Sequence, residues 1–171
     1  PPGGAGGQGP GVAPGEWGGG GLGEVVGALD RPDKGAVPVG DRREPGSVPG
    51  IVQAAVDQFG RLDGLVHAAA ILRRQMDITE ITEADWDIQV DIHQRGSWFR
   101  VREVAETLRR QGRRGSIVMI ASAGAFTGGL GGSWVYAGTK GAVVTMVRGF
   151  ARTYATHGIR INAVSPGTTN T

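Results

Sequence analysis

Gly115-Ser116-Ile117-Val118-Met119-Ile120-Ala121 is a short apolar run rich in β-branched residues, entered through a glycine that ends the helical text before it. Such a run reads as a buried strand. Upstream, Thr82-Glu83-Ala84-Asp85 has the form of a capping box. A long helical stretch should follow it to about Arg110, with Val101, Val104, Ala105 and Leu108 on one stripe. Further back, Leu65-Val66-His67-Ala68-Ala69-Ala70 reads as a second buried strand. Before it, Ile51, Ala54, Ala55, Val56 and Phe59 fall at helical spacing after Ser47, with Gly60 as the stop. Downstream, Ala123 to Gly132 is a Gly-rich loop and Trp134 to Thr156 a helix, with Gly158 just beyond. Ile159 to Val164 is then a strand closed by Pro166-Gly167. Strands alternating with helices of this length predict an α/β fold, a doubly wound parallel sheet covered on both faces.

The first fifty residues differ. They hold eight of the nine prolines and 17 of the 32 glycines, so residues 1–21 read as a Gly/Pro-rich segment and residues 22–171 as the folded domain. Ala36-Val37-Pro38-Val39 can form a short strand, and Pro38 suits an edge or an end.

Composition narrows the function classes. Lys+Arg 18 against Asp+Glu 16 is too even for a nucleic-acid surface, and the Arg-rich run Arg109 to Arg114 reads as a solvated helix end. There is no cysteine, so disulfide and thiolate chemistry are out, and the three histidines lack metal-ligand spacing. No apolar run approaches transmembrane length and no signal peptide is visible, which predicts a cytoplasmic protein without membrane partners.

Chemistry concentrates at Tyr136-Ala-Gly-Thr-Lys140. Residues four apart share a helix face. A phenol titrates near about 10, and a neighbouring ammonium favours its ionised form, so the spacing yields a tyrosine able to exchange a proton with a hydroxyl or carbonyl. By itself the pair is also an ordinary helix pattern. Ser122 lies fourteen residues upstream at the end of the strand, where ligands bind in parallel sheets. Its hydroxyl can hold a substrate oxygen beside Tyr136 or merely cap the loop.

With these motifs in order, the chain resembles the short-chain dehydrogenase/reductase family. Gly3-Gly-Ala-Gly-Gly7-Gln-Gly9 is similar to the family's cofactor loop, where small residues admit a pyrophosphate to a helix N-terminus. A Gly/Pro tail would give the same letters. Asp41 matches the acid that contacts adenine, and Leu65 to Ala70, with Ala69 beneath the cofactor, matches the Asn-Asn-Ala-Gly strand end. Ser122, Tyr136 and Lys140 match the catalytic triad. Pro166-Gly167-x-x-x-Thr171 matches the segment whose Thr contacts the nicotinamide carboxamide. The resemblance implies an oxidoreductase that moves hydride between NAD or NADP and a small carbonyl or secondary alcohol, working as a homo-dimer or homo-tetramer. In it, Ser122 orients the oxygen, Tyr136 transfers the proton, and Lys140 lowers the Tyr136 pKa and binds the nicotinamide ribose.

Departures from the family pattern shape the other expectations. His93 stands where the family has a catalytic Asn that helps hold a water next to the Lys. It either replaces that hydrogen bond, adding a group that titrates near neutrality, or sits on the helix surface without a catalytic role. His67-Ala68-Ala69-Ala70 replaces two asparagines and the glycine, and Arg42 follows Asp41 in place of an apolar residue. Measured against the family, the domain would be incomplete at both ends. It would lack the first strand, leaving an unpaired edge beside Leu65–Ala70, and the last strand with its substrate cover. Two rival readings remain. One is a non-catalytic oligomerisation or binding remnant using the faces of residues 94–110 and 134–156, separated from the enzyme by nucleotide binding. The other is a hydrolase using Ser122, for which no G-x-S-x-G elbow exists.

Overall fold

β4 (Gly115–Ile120) lies inside a five-stranded sheet in a computed structural model that describes residues 24–27, 36–38 and 47–168, with side chains from Gly50 onward. The sheet order is β2 (Ala36–Pro38), β1 (Glu24–Gly27), β3 (Gly64–His67), β4, β5 (Ile159–Val164). β3, β4 and β5 run parallel, with Leu65 opposite Ile117 and Ile117 opposite Ile161. Between them come α1 (Ser47–Phe59), α2 (Glu83–Val90), α3 (Ser97–Arg110), the short α4 (Gly124–Thr127) and α5 (Trp134–Tyr154).

The Rossmann-like α/β architecture expected from the alternation is present, with one of its two windings among the described residues. From β3 through β4 to β5 the chain always steps the same way across the sheet. Right-handed crossovers that step the same way lay their helices on the same face. Accordingly Val52, Ala55, Val101, Val104, Leu108, Ile117, Met119, Val143, Phe150, Ile159 and Ile161 form one buried cluster. The opposite face is less covered. Val66 and Val164 are exposed, and Val118 and Ile120 are half-buried.

Three local expectations need correction. The edge beside β3 is not vacant, because β1 pairs with it antiparallel, Glu24 opposite His67 and Gly27 opposite Gly64. β1 also pairs antiparallel with β2. A parallel crossover needs a dozen or more residues, and only residues 28–35 separate these two strands, so they pair antiparallel. The apolar run at 65–70 is extended only to His67, and Ala68 to Ala70 already belong to the loop at the carboxyl end of the sheet.

The third correction concerns the long helix. Its capping box is as expected, with Thr82 Oγ1 accepting from Asp85 N at 3.1 Å and the Asp85 carboxylate answering. Between α2 and α3, however, Asp91–Gly96 form a π-helical turn. Such turns insert one residue into an α-helix and are frequent at functional sites. Here the extra residue lets Gln89, Ile92, His93, Gly96, Ser97 and Arg100 all face inward. Gly96 leaves space for the guanidinium of Arg100, since a Cβ there would lie 2.6 Å from Arg100 Nη1 and push that group aside. α3 and α5 are also clasped at their far ends, where Tyr154 Oη donates to Glu106 Oε1 at 2.9 Å.

Candidate active site

The carboxyl ends of β3, β4 and β5 all open on one side of the sheet, which is where ligands bind in this architecture. Two backbone hydrogen bonds continue the β4–β5 pairing past the strands, Ala121 N to Val164 O and Ala123 N to Pro166 O. They bring Pro166 next to the loop that starts at Ser122. Ala69, after β3, and Ala121, after β4, are small and nearly fully buried.

Ser122 is half-buried and its Oγ accepts from Gly124 N at 3.1 Å. This bond is the loop-capping contact expected of the serine. The oxygen accepts there, and the hydroxyl keeps its own proton to donate. A Cβ placed on Gly124 would meet Ser122 Oγ at 3.3 Å and Ala137 Cβ at 3.8 Å, which sets Ser122 against the first turn of α5. Tyr136 is the residue before Ala137, and Lys140 lies one turn further on the same helix face.

Lys140 is only 2% exposed, and its Nζ donates to the Ile120 carbonyl at 2.6 Å. The same ammonium stands 5.6 Å from the centre of the Tyr136 ring. Burial pulls its pKa down from 10.5 to about 8. An ammonium has three N–H donors, so two remain for a ligand once Ile120 is served. Among the described residues no group other than this cation is a buried lysine.

His93 is fully buried, which rules out the helix-surface reading. It faces the site from the π-helical turn, with its ring edge-on to Tyr136 at 5.4 Å between centres. Both nitrogens are engaged. Ile71 N donates to Nε2 at 2.9 Å, and Nδ1 lies 2.7 Å from Thr139 Oγ1. Thr139 Oγ1 in turn donates to the Tyr136 carbonyl at 2.7 Å. Nε2 accepts and the threonine proton is committed elsewhere, so the imidazole proton resides on Nδ1. Burial, reinforced by the charge of Lys140, drives the His93 pKa down to about 3. The expectation of a histidine titrating near neutrality is thereby corrected.

The sign of this shift gives a prediction for stability. Between about 3 and 6.5 the unfolded chain holds a proton on this residue and the folded chain does not, so stability is lost as the pH falls through that window. Thermal unfolding followed from pH 7 to 4 should show His93→Gln losing less of its own stability on acidification than the wild type loses. Parallel pH curves would contradict it.

Two participants were not anticipated. Thr139 lies between Tyr136 and Lys140, and only its i+3 spacing from Tyr136 hinted that its hydroxyl could reach that carbonyl. Ser97 bonds His67 Nε2 at 2.7 Å, so the buried His67 at the end of β3 is tied to α3. Gly132 holds the mouth of the site together. It has φ 80°, its carbonyl accepts from Gln75 N at 3.2 Å, and a Cβ there would overlap the Gln75 carbonyl. Of the residues singled out for cofactor binding, Ala69, Pro166 and Gly167 lie at the strand ends, with Gly167 exposed. Gly3, Gly7, Gly9, Asp41 and Thr171 fall outside the described residues.

Comparison with known proteins bears on this geometry. Residues 22–171 match the family described as enoyl-(acyl carrier protein) reductase. The chain is 37% identical over 117 residues to a 2-dehydro-3-deoxy-D-gluconate 5-dehydrogenase of Dickeya dadantii, covering 68% of this chain and 46% of that protein. It is 36% identical over 129 residues to a levodione reductase of Leifsonia aquatica, covering 75% of this chain and 48% of that one. Among solved structures, ElxO with NADP bound superposes with a TM-score of 0.69 at 32% identity, covering 74% of this chain and 50% of that chain. The chain thus spans about half the length of the relatives it matches. No helix among the described residues is long and apolar enough to cross a membrane. With a match across residues 22–171 and these relatives, the chain belongs to the short-chain dehydrogenase/reductase family.

Proposed function

We propose that this protein is an NAD(P)-dependent oxidoreductase that reduces a small carbonyl compound or oxidises the corresponding secondary alcohol. The observation that carries the proposal is the pairing of Tyr136 with a buried ammonium on one face of α5, beside Ser122 at the carboxyl end of β4. The residues present fit the nicotinamide–ribose half of such a cofactor. Ala69 and Ala121 place no bulky side chain at the strand ends, and Lys140 keeps two N–H donors for ribose hydroxyls. When bound, the cofactor supplies or accepts the hydride.

The protein's own groups do the rest. Ser122, its Oγ already accepting from Gly124, donates its proton to the substrate oxygen and fixes its direction. Tyr136 gives its phenolic proton to that oxygen in reduction and takes it back in oxidation. Lys140 holds positive charge beside the phenol and the ribose. His93 keeps the ring of Tyr136 from tilting. The bound NADP of the ElxO structure supports a phosphorylated or unphosphorylated nicotinamide dinucleotide as the partner here. A homo-dimer or homo-tetramer is part of the reading, supported by Trp98 of α3, which is 47% exposed and packs at a tilt against Phe150 of α5. A cytoplasmic location is part of the same reading.

Fluorescence titration of the full-length protein with NADPH and NADH tests the proposal. Saturable binding of at least one, in the micromolar range typical of cofactor and substrate levels, is the expected result. Absence of binding to both would overturn the enzyme reading in favour of the non-catalytic remnant.

A further inference from the structure

We infer that Thr139 and His93 act together as positioning residues for Tyr136, with His93 serving as a fixed, neutral Nδ1–H donor and not as a carrier of protons. The inference rests on the proposed oxidoreductase reading and assigns a role to a hydroxyl that the reaction itself does not use.

Four observations point the same way. First, the hydrogen bonds form a directed chain, from Ile71 N to His93 Nε2, from His93 Nδ1 to Thr139 Oγ1, and from Thr139 Oγ1 to the Tyr136 carbonyl. Second, His93 reaches Tyr136 by two routes, edge-on at the ring and through Thr139 at the backbone, so both ends of the residue are held. Third, the chain joins three separate pieces of the fold, namely the loop after β3, the π-helical turn and α5. Fourth, the two side chains that carry the chain are inaccessible or nearly so, with His93 at 0% and Thr139 at 2%. A chain of hydrogen bonds shielded from water tolerates little slack.

The π-helical turn explains how the histidine gets there. An uninterrupted α-helix would rotate His93 by one residue relative to Ser97 and Arg100, and the inward set could not all face the sheet. The charged and titratable groups that face His93 are Lys140 and Tyr136 from α5 and His67 from β3. With a cation on one side, a second proton on the ring would be repelled, which keeps the donor and acceptor ends of the imidazole from exchanging.

Catalytic groups misplaced by about 1 Å can lose about 10²-fold in rate without touching the substrate. Thr139→Val keeps the shape of the side chain and removes both hydrogen bonds. In the full-length protein it should lower kcat by about tenfold or more while the KM for NADPH changes by less than about twofold, the split expected when only transition-state geometry is lost. Thr139→Ser restores the hydroxyl and should return kcat to within about threefold of wild type. The double variant His93→Asn/Thr139→Val should be no slower than the worse single variant, because both break one chain.

A second readout is independent of turnover. The protein has three histidines, so 15N-imidazole spectra can resolve them. One of them should carry its proton on Nδ1, hold that state from pH 5 to 8, and shift in Thr139→Val. If Thr139→Val turns over like wild type, if the serine does not rescue, or if no histidine shows the Nδ1–H state, the inference falls. Tyr136→Phe separates this from the parent proposal. A dead Tyr136→Phe with an active Thr139→Val removes only the positioning role, whereas an active Tyr136→Phe removes the oxidoreductase mechanism as well. Should Thr139→Val fail to fold, the wild-type spectra and the serine variant still decide.

Discussion

Lys140→Met should cost the full-length protein about 10²-fold or more in turnover while leaving it as stable as the wild type, or more so. The two halves of this expectation have separate causes. Charge aimed at the reacting groups inside a site shielded from water is worth about 10²–10³ in rate when one donor is removed. Keeping that charge where it is costs the fold. A pKa pulled from 10.5 to about 8 corresponds to about 3 kcal/mol spent on holding the ammonium protonated at 2% exposure. Methionine has a similar reach and no charge, so that cost disappears. Against it stands the loss of the donor to the Ile120 carbonyl, a cost of about 1–3 kcal/mol. The net change should therefore lie between zero and a gain of about 2 kcal/mol.

The pH dependence separates the terms. Below pH 8 the ammonium is protonated in both folded and unfolded chains, and the full penalty applies. Between about 8 and 10.5 the folded chain releases the proton while the unfolded chain keeps it, so the wild type gains stability across that window. The methionine variant has no such group, and its advantage should shrink as the pH rises. Thermal unfolding at pH 7, 8, 9 and 10, run beside steady-state kinetics, reads both effects. Wild-type turnover in the variant would remove Lys140 from the machinery, and a loss of several kcal/mol would mean that Lys140 is held for structure.

Much of this site was legible in the residues because its signals are local. β4 announced itself by Ile117, Val118 and Ile120, and α5 by a helical run closed at Gly158, which has φ 71°. Tyr136 and Lys140 follow from i, i+4 geometry, and Ser122 from its place two residues beyond a buried strand. Other features depend on contacts that spacing does not encode. The π-helical turn arises because α2 and α3 must aim Gln89, His93 and Arg100 at the same interior, a demand set by the tertiary fold. Burial of His93 follows from it, and burial is what moves its titration out of the neutral range. The pairing of β1 with β3 was hidden for another reason. Glu24-Val-Val-Gly27 is too short to carry a period, and its partner strand lies almost forty residues away. The fuller cover of one face among the described residues follows from strand order, which no local pattern records.

The largest expected effect belongs to Tyr136→Phe. The substitution removes one oxygen and keeps the ring, so the edge-on contact with His93 and the approach of the Lys140 ammonium both survive. Tyr136 is half-buried, and none of the hydrogen bonds that hold α5 runs through its hydroxyl. Folding and cofactor affinity should be unchanged. Turnover should fall by the contribution of a positioned general acid, about 10²–10⁴-fold. Deuterium transfer measures this without depending on a coupled assay. The full-length protein is saturated with NADPH carrying deuterium at the nicotinamide C4 and offered a panel of small ketones, and the alcohols formed are analysed by mass. Wild type should place the label on the carbinol carbon of at least one product, and Tyr136→Phe, still binding NADPH, should do so at no more than about one hundredth of that rate. Equal transfer by the two proteins, or no transfer by the wild type to any ketone with cofactor bound, would contradict the account.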